Sequence, residues 1–224
     1  MLLNADFTKR AILHADAYRW VPSPQAGVER VMLDRIGGEK ARATSIVRYA
    51  RNSHFPAHTH PAGEEILVLS GTFSEPGADF PAGWYVRNPP GSAHQPSSED
   101  GAVIFVKLRQ MPSSETESVR IDTNDPANWI QQDNRTICPL FSSDAEQVTL
   151  EHIAPGAQLF PAPVKGAEIL ILEGEIQENG QSFAKRSWIR LPEGAHPAFT
   201  AGPNGTTLYL KRGAFTIDPS LTET

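Results

Sequence analysis

The sequence predicts an all-β chain built as two tandem barrel or jelly-roll domains. Three observations predict it. Short apolar runs are punctuated by 19 prolines and 17 glycines, no long amphipathic helix is present, and the two halves of the 224 residues repeat one another in order. Phe55-Pro56-Ala57 recurs as Phe160-Pro161-Ala162, and Glu65 to Gly71 recurs as Glu168 to Gly174. Gly83-Trp84 has Ser187-Trp188 as its counterpart, Pro89 to His94 has Pro192 to His196, and Trp20 and Trp129 open the halves. Gln110 to Arg135 is polar and lacks a periodic pattern, so the boundary is placed near residue 118, giving domains 1–117 and 118–224.

The candidate strands follow in order. Val28 to Ile36 reads as a strand or as a helical turn. Thr44 to Ala50 reads as a strand. Ile66 to Leu69 is four apolar residues stopped by Gly71, long enough for a buried strand and too short for a helix. Trp84 to Arg87 ends at Asn88-Pro89-Pro90-Gly91, where proline cannot continue a ladder, and Val103 to Leu108 forms another strand.

Composition excludes several function classes. A net charge of -6 offers no basic footprint for nucleic acid or anionic lipid. Cys138 is the one cysteine, so neither an internal disulfide nor a cysteine-based zinc site can form. The first residues lack a basic start followed by a long apolar run, and no segment reaches the length of a membrane span; a cytoplasmic protein is expected.

The chemistry concentrates in His58-Thr59-His60, Glu64 and His94. Side chains two apart on a strand share a face, so His58 and His60 point the same way. A carboxylate follows four residues later, and a third imidazole lies on the turn that begins at Pro89. Three neutral imidazoles and a carboxylate suit one divalent transition metal. His14, His54 and His152 have no such companions and read as surface or core histidines.

Adjacent Glu64 and Glu65 face opposite ways on a strand, and the repeat separates their roles. The second copy keeps Glu168 opposite Glu65, but places Ala167 opposite Glu64, Pro163 opposite His58 and Lys165 opposite His60. Glu64 departs with the histidines and is read as the ligand, whereas Glu65 and Glu168 share a structural role. The second half, with His196 alone, is a copy without the metal set; Lys165 reads as a solvated loop lysine. Zinc, iron, manganese, nickel and copper all accept this donor set, and metal affinity is expected to fall below about pH 6 as free imidazoles protonate. Arg48, Trp84 and Tyr85 lie near in sequence, but read as core or surface.

At these residues the chain resembles the cupins. His58, His60, Glu64 and Gly71 match the first cupin motif, and Gly83, Pro89, Gly91 and His94 match the second, with Ser98 where that motif has asparagine. The resemblance implies the double-stranded β-helix fold. A narrower similarity, over most of residues 15 to 110, is to the cupin domain of ChrR-type anti-sigma factors. It is carried by Trp20-Val21-Pro22, His58 to Phe73 and Tyr85 to His94. That similarity implies zinc on His58, His60, Glu64 and His94, a sensory or regulatory role in oxidative stress, and a sigma factor as partner. The N-terminal sigma-binding domain of that family, with its own His and Cys zinc site, has no match here: the first fifteen residues hold one His and no Cys. The same subgroup is similar to acetylacetone-cleaving dioxygenases, which implies iron and a small β-dicarbonyl-like substrate. Manganese or nickel, like iron, would leave positions for substrate or oxygen and so favour catalysis, whereas zinc favours a sensory or structural site; a third reading is a binding bicupin whose metal only ties strands together. A homodimer paired through short edge strands is also expected.

Overall fold

In the computed structural model, which describes residues 1–38, 40–213 and 215, the chain divides into two compact units. Both are antiparallel β-sheet, and the second unit also carries 3-10 turns at Ala15–Ala17 and Pro126–Asn128. Among the described residues, no helix is long and apolar enough to cross a membrane.

Strand formation follows the apolar runs. Val28–Ile36 is a strand rather than a helical turn, because its residues pair along Arg42–Tyr49. In the first unit the hydrogen-bonded order runs Val28–Ile36, Arg42–Tyr49, Ala102–Leu108, Glu64–Glu75 and Trp84–Asn88. In the second it runs Arg135–Ser142, Glu146–Ile153, Thr200–Gly213, Ala167–Glu178 and Trp188–Leu191. The repeat in sequence is therefore a repeat in sheet order. Each unit packs its own apolar face: Ile66, Val68, Phe73, Val86 and Ile104 in one, Ile169, Ile171, Phe183, Ile189 and Leu208 in the other.

The division of the chain differs from a cut near residue 118. Val119–Asp122 pairs with Trp84–Asn88, so the first unit continues to Asn124. Ala11–Leu13 pairs with Trp188–Leu191, and Asp6–Tyr18 belongs to the second unit. A short edge strand is assigned by hydrogen-bond register, which composition does not report.

Gly71 sits where Glu64–Glu75 turns past the start of its neighbour. Its φ is +70°, and a Cβ there would lie 1.9 Å from the Gly101 carbonyl oxygen. Only glycine fits that approach. Gly174, opposite it in the repeat, has φ +71° and the Gly205 carbonyl oxygen 2.4 Å away.

Candidate metal centre

Two short strands and one long one bring the predicted residues together. His58–His60 pairs antiparallel with Ser92–His94, so that His94 lies opposite His58 and Ser92 opposite His60. The ring centroids of His58 and His60 are 4.8 Å apart, those of His58 and His94 are 4.9 Å apart, and those of His60 and His94 are 4.6 Å apart. One nitrogen from each ring lies within 4.8 Å of the others. His58 is exposed, whereas His60 and Glu64 are buried.

His60 Nε2 and His94 Nε2 are 2.8 Å apart. Two imidazole nitrogens at that distance must share a proton or a cation, because bare lone pairs repel. Glu64 Oε2 lies 3.5 Å from His60 Nε2 and 3.4 Å from His94 Nε2. Donors about 2 Å from one ion stand roughly 2.9 Å apart at right angles and about 3.4 Å apart at tetrahedral angles. The donor set fits a transition-metal ion on these separations.

The orienting contacts fit as well. His58 Nδ1 lies 3.0 Å from the Pro56 carbonyl oxygen, which leaves Nε2 free to turn inward. His94 Nδ1 lies 2.8 Å from Glu75 Oε1. Asn88 Nδ2 donates to Glu64 Oε2 at 3.3 Å, and Arg120 Nη2 donates to Asn88 Oδ1 at 2.6 Å.

Burial and mutual repulsion govern the protons. Burial, followed by the neighbouring His94 and His58, pushes His60 down to about 3. Burial pushes the Glu64 carboxyl up to about 7, partly offset by His94 and the Asn88 amide. Burial opposes charge on His94, but the hydrogen bond to Glu75 and the carboxylates of Glu64 and Glu75 outweigh it and raise its pKa. Burial would raise Glu75; its bond to His94 and the charges of His94 and Arg120 leave it lowered. His60 therefore offers a neutral lone pair at neutral pH, as a ligand must.

Glu65 points the other way, as its neighbour's geometry requires. Its Oε2 lies 2.9 Å from Arg87 Nη1, with both side chains buried. In the second unit Glu168 accepts from the Trp188 indole at 2.7 Å and stands opposite Arg190 in the register, as Glu65 stands opposite Arg87. That pairing is the shared structural role. Lys165 is exposed, and His196 Nε2 lies 3.3 Å from the Phe160 carbonyl oxygen. Among the described residues, the second unit brings together no comparable ligand cluster.

Glu75, Asn88 and Arg120 were not singled out by the sequence pattern. Eleven residues from Glu64, Glu75 should face away from it under strict alternation. The ladder skips Leu69, with Val68 opposite Ile104 and Ser70 opposite Val103, and that bulge returns Glu75 to the site's face. Glu178 occupies the matching place in the second copy, so the contrast between halves was silent. For Asn88 the contrast was available: its counterpart is the core residue Leu191. Arg120 lies beyond the expected boundary.

A cavity of about 770 Å³ opens on His58, His60 and Glu64. Val47, Phe55, Ile104, Val106 and Leu108 form its apolar wall. That volume is in the range of small-molecule sites. Arg48, Trp84 and Tyr85 are not among the lining residues: Arg48 pairs with Glu29 at the surface, Trp84 packs on Phe80 and Tyr85 is fully buried. A hollow of about 920 Å³ in the second unit is lined by Arg135, Lys165, Arg212 and acidic residues including Glu151.

Residues 8–112 match the family model of the ChrR cupin-like domain. The protein carries a cupin domain of the ChrR type. A search among curated proteins finds no match. Among solved structures, the cupin domain and its companion unit together are similar to a "putative dioxygenase" of Nostoc punctiforme. Identity is 15% with a TM-score of 0.76, covering 97% of this chain and 85% of that one. Escherichia coli pirin YhhW, solved with nickel(II), is 10% identical with a TM-score of 0.64, covering 92% of this chain and all of that one (100%). A cupin 2 conserved barrel domain protein of Leptotrichia buccalis is 12% identical with a TM-score of 0.62, at 95% and 100% coverage. At these identities the likeness establishes the fold: an all-β cupin.

Glu75 is expected to matter through the ring it orients. Glu75→Gln should weaken metal affinity by about 10- to 100-fold while leaving one site per chain, as titration against a competing chelator would report.

Proposed function

We propose that His58, His60, Glu64 and His94 hold one divalent transition-metal ion, and that small molecules reach it through the adjoining cavity as substrates of an oxygenase-type reaction. The observation that carries this reading is the cavity itself, which ends on three of the four donors. A purely structural metal is closed off by protein, whereas a catalytic one keeps a path for exchange. Bound there, a metal would act as a Lewis acid toward a ligand oxygen. His58, His60, Glu64 and His94 supply the donors. Asn88 and Glu75 hold Glu64 and His94 in place, and Val47, Ile104, Val106 and Leu108 limit water around the ligand. Iron, manganese and nickel suit this role, and pirin YhhW was solved with nickel. An oxygen-electrode assay of iron-loaded protein over a panel of small diketones and keto acids tests it; a flat trace across the panel counts against catalysis.

The family match supports a second reading, in which zinc in the same site serves a regulatory response to oxidative stress. Its test is capture of a sigma factor by the purified protein under reducing and oxidising conditions. Absence of capture in both states would remove it.

Metal affinity should depend on pH, with a known sign. Glu64, raised to about 7, carries a proton below that pH that must leave before it can bind a cation. Raised His94 adds to the effect in the same direction, while lowered His60 contributes no proton near neutrality. Affinity should fall as pH drops through about 7, a higher point than free imidazole gives. At about pH 6, where a carboxyl of pKa about 7 is mostly protonated, the number of protons released per metal in Glu64→Gln, read by calorimetry in two buffers, should fall by about one.

A further inference from the structure

The cavity is charged as well as apolar. Arg30, Arg35, Lys40 and Arg109 line it, and the one carboxylate among its described lining residues is Glu64, which the metal reading uses as a ligand. Arg35 is buried and donates to the Gly38 carbonyl oxygen. Arg109 is different. Its Nε is buried without a hydrogen-bond partner. A buried donor left unmade costs free energy; that Nε is closed off from solvent, and since the side chain as a whole is only half-buried, the part of it that a ligand can meet lies elsewhere on its cavity-lining surface.

The backbone holds Arg109 in place. Leu108 stands opposite Glu64 in the ladder, and the next N–H, that of Arg109, donates to the Gly63 carbonyl oxygen at 3.1 Å. The backbone of Arg109 is thus anchored beside Gly63, one residue from the proposed ligand Glu64. Arg109 also has φ +58°, in the left-handed region. Of the six non-glycine residues there among the described residues, four are Asn or Asp, which tolerate it; Arg109 and Arg186 are not. Strain of this kind is kept where the surroundings fix a side chain for a task.

We propose that the cavity receives a small organic acid, its carboxylate on the Arg109 guanidinium and its apolar body against Val47, Ile104, Val106 and Leu108. This deepens the metal-site reading by naming its ligand class, but the anion site stands on its own residues. A planar guanidinium matches a carboxylate in two parallel hydrogen bonds, and the apolar wall favours a hydrocarbon-bearing acid over an inorganic anion. Arg30, Arg35 and Lys40 add positive potential along the same cavity.

Calorimetric titration of the intact protein tests this, in metal-loaded and metal-stripped forms. The probes are hexanoate and levulinate, their neutral counterparts hexanamide and pentanone, and inorganic phosphate. The acids should bind at least about tenfold more tightly than the neutral probes. Arg109→Gln should lower the acid affinity by about tenfold or more without moving the metal content or the melting temperature, the scale of one lost charge-assisted pair. Preference for the acids in the stripped protein keeps the proposal even if the metal reading fails. Failure of both acids to bind, equal affinity for acid and neutral probe, tighter binding of phosphate, or an unchanged acid affinity in Arg109→Gln would overturn it.

Discussion

Replacing His58 and His60 together by alanine is expected to reduce metal content from about one ion per chain to below roughly a tenth of one. Transition-metal sites need three or four donors on one point, and affinity falls steeply as each is lost. In this pair of changes half of the quartet disappears, leaving Glu64 and His94, which cannot hold the ion against buffer and chelators. The fold should survive. His58 is exposed and its strand is a three-residue edge, while the first unit's apolar face rests on Ile66, Val68, Phe73 and Ile104. His14→Ala with His152→Ala is the control, since those two rings have no ligand companions. Elemental analysis beside a melting curve separates lost ligation from lost folding. Full occupancy in the double variant would place the ion elsewhere.

The second large effect is on stability. Arg87→Met should cost about 3–5 kcal/mol of unfolding free energy. Arg87 is fully buried. Its Nη1 lies 2.9 Å from Glu65 Oε2, and its Nε and Nη2 reach the two carboxylate oxygens of Glu115 at 2.5 and 2.8 Å. Methionine fills much of the volume but leaves two buried carboxylates without their cation, and uncompensated charge in a poor solvent is what makes the change expensive. By contrast, Arg48→Met should cost less than about 1 kcal/mol, because its pair with Glu29 is nearly half exposed on both sides and is screened by water. Urea denaturation of both variants checks the contrast. A small loss at Arg87 would mean that Glu65 and Glu115 find other partners or take up protons.

These expectations show where sequence was informative. The quartet was legible because its spacing is local: two histidines at period two, a glutamate four residues on and a histidine on a proline-marked turn. The repeat then decided between Glu64 and Glu65, since a lost function takes its ligands with it and leaves structural residues behind. In the structure Glu65 lies against Arg87 and Glu168 against Trp188, the places of structural residues. What stayed hidden depends on register. A single bulge at Leu69 reversed the face of Glu75, and the pairing of Val119–Asp122 carried Arg120 back to the first unit. Arg109 was invisible for a similar reason: its left-handed backbone and anchored amide are properties of the folded sheet edge.

One ion bound in the first unit is what the proposed metal centre requires, and X-ray absorption of protein purified without a metal-affinity tag reads it out most directly. The predicted result is about one transition-metal ion per chain, with nitrogen and oxygen neighbours near 2.0–2.2 Å and the outer-shell scattering of about three imidazoles. Sulfur in the first shell, scattering from fewer than two imidazoles, or an ion retained undiminished after His58 and His60 are replaced would contradict it.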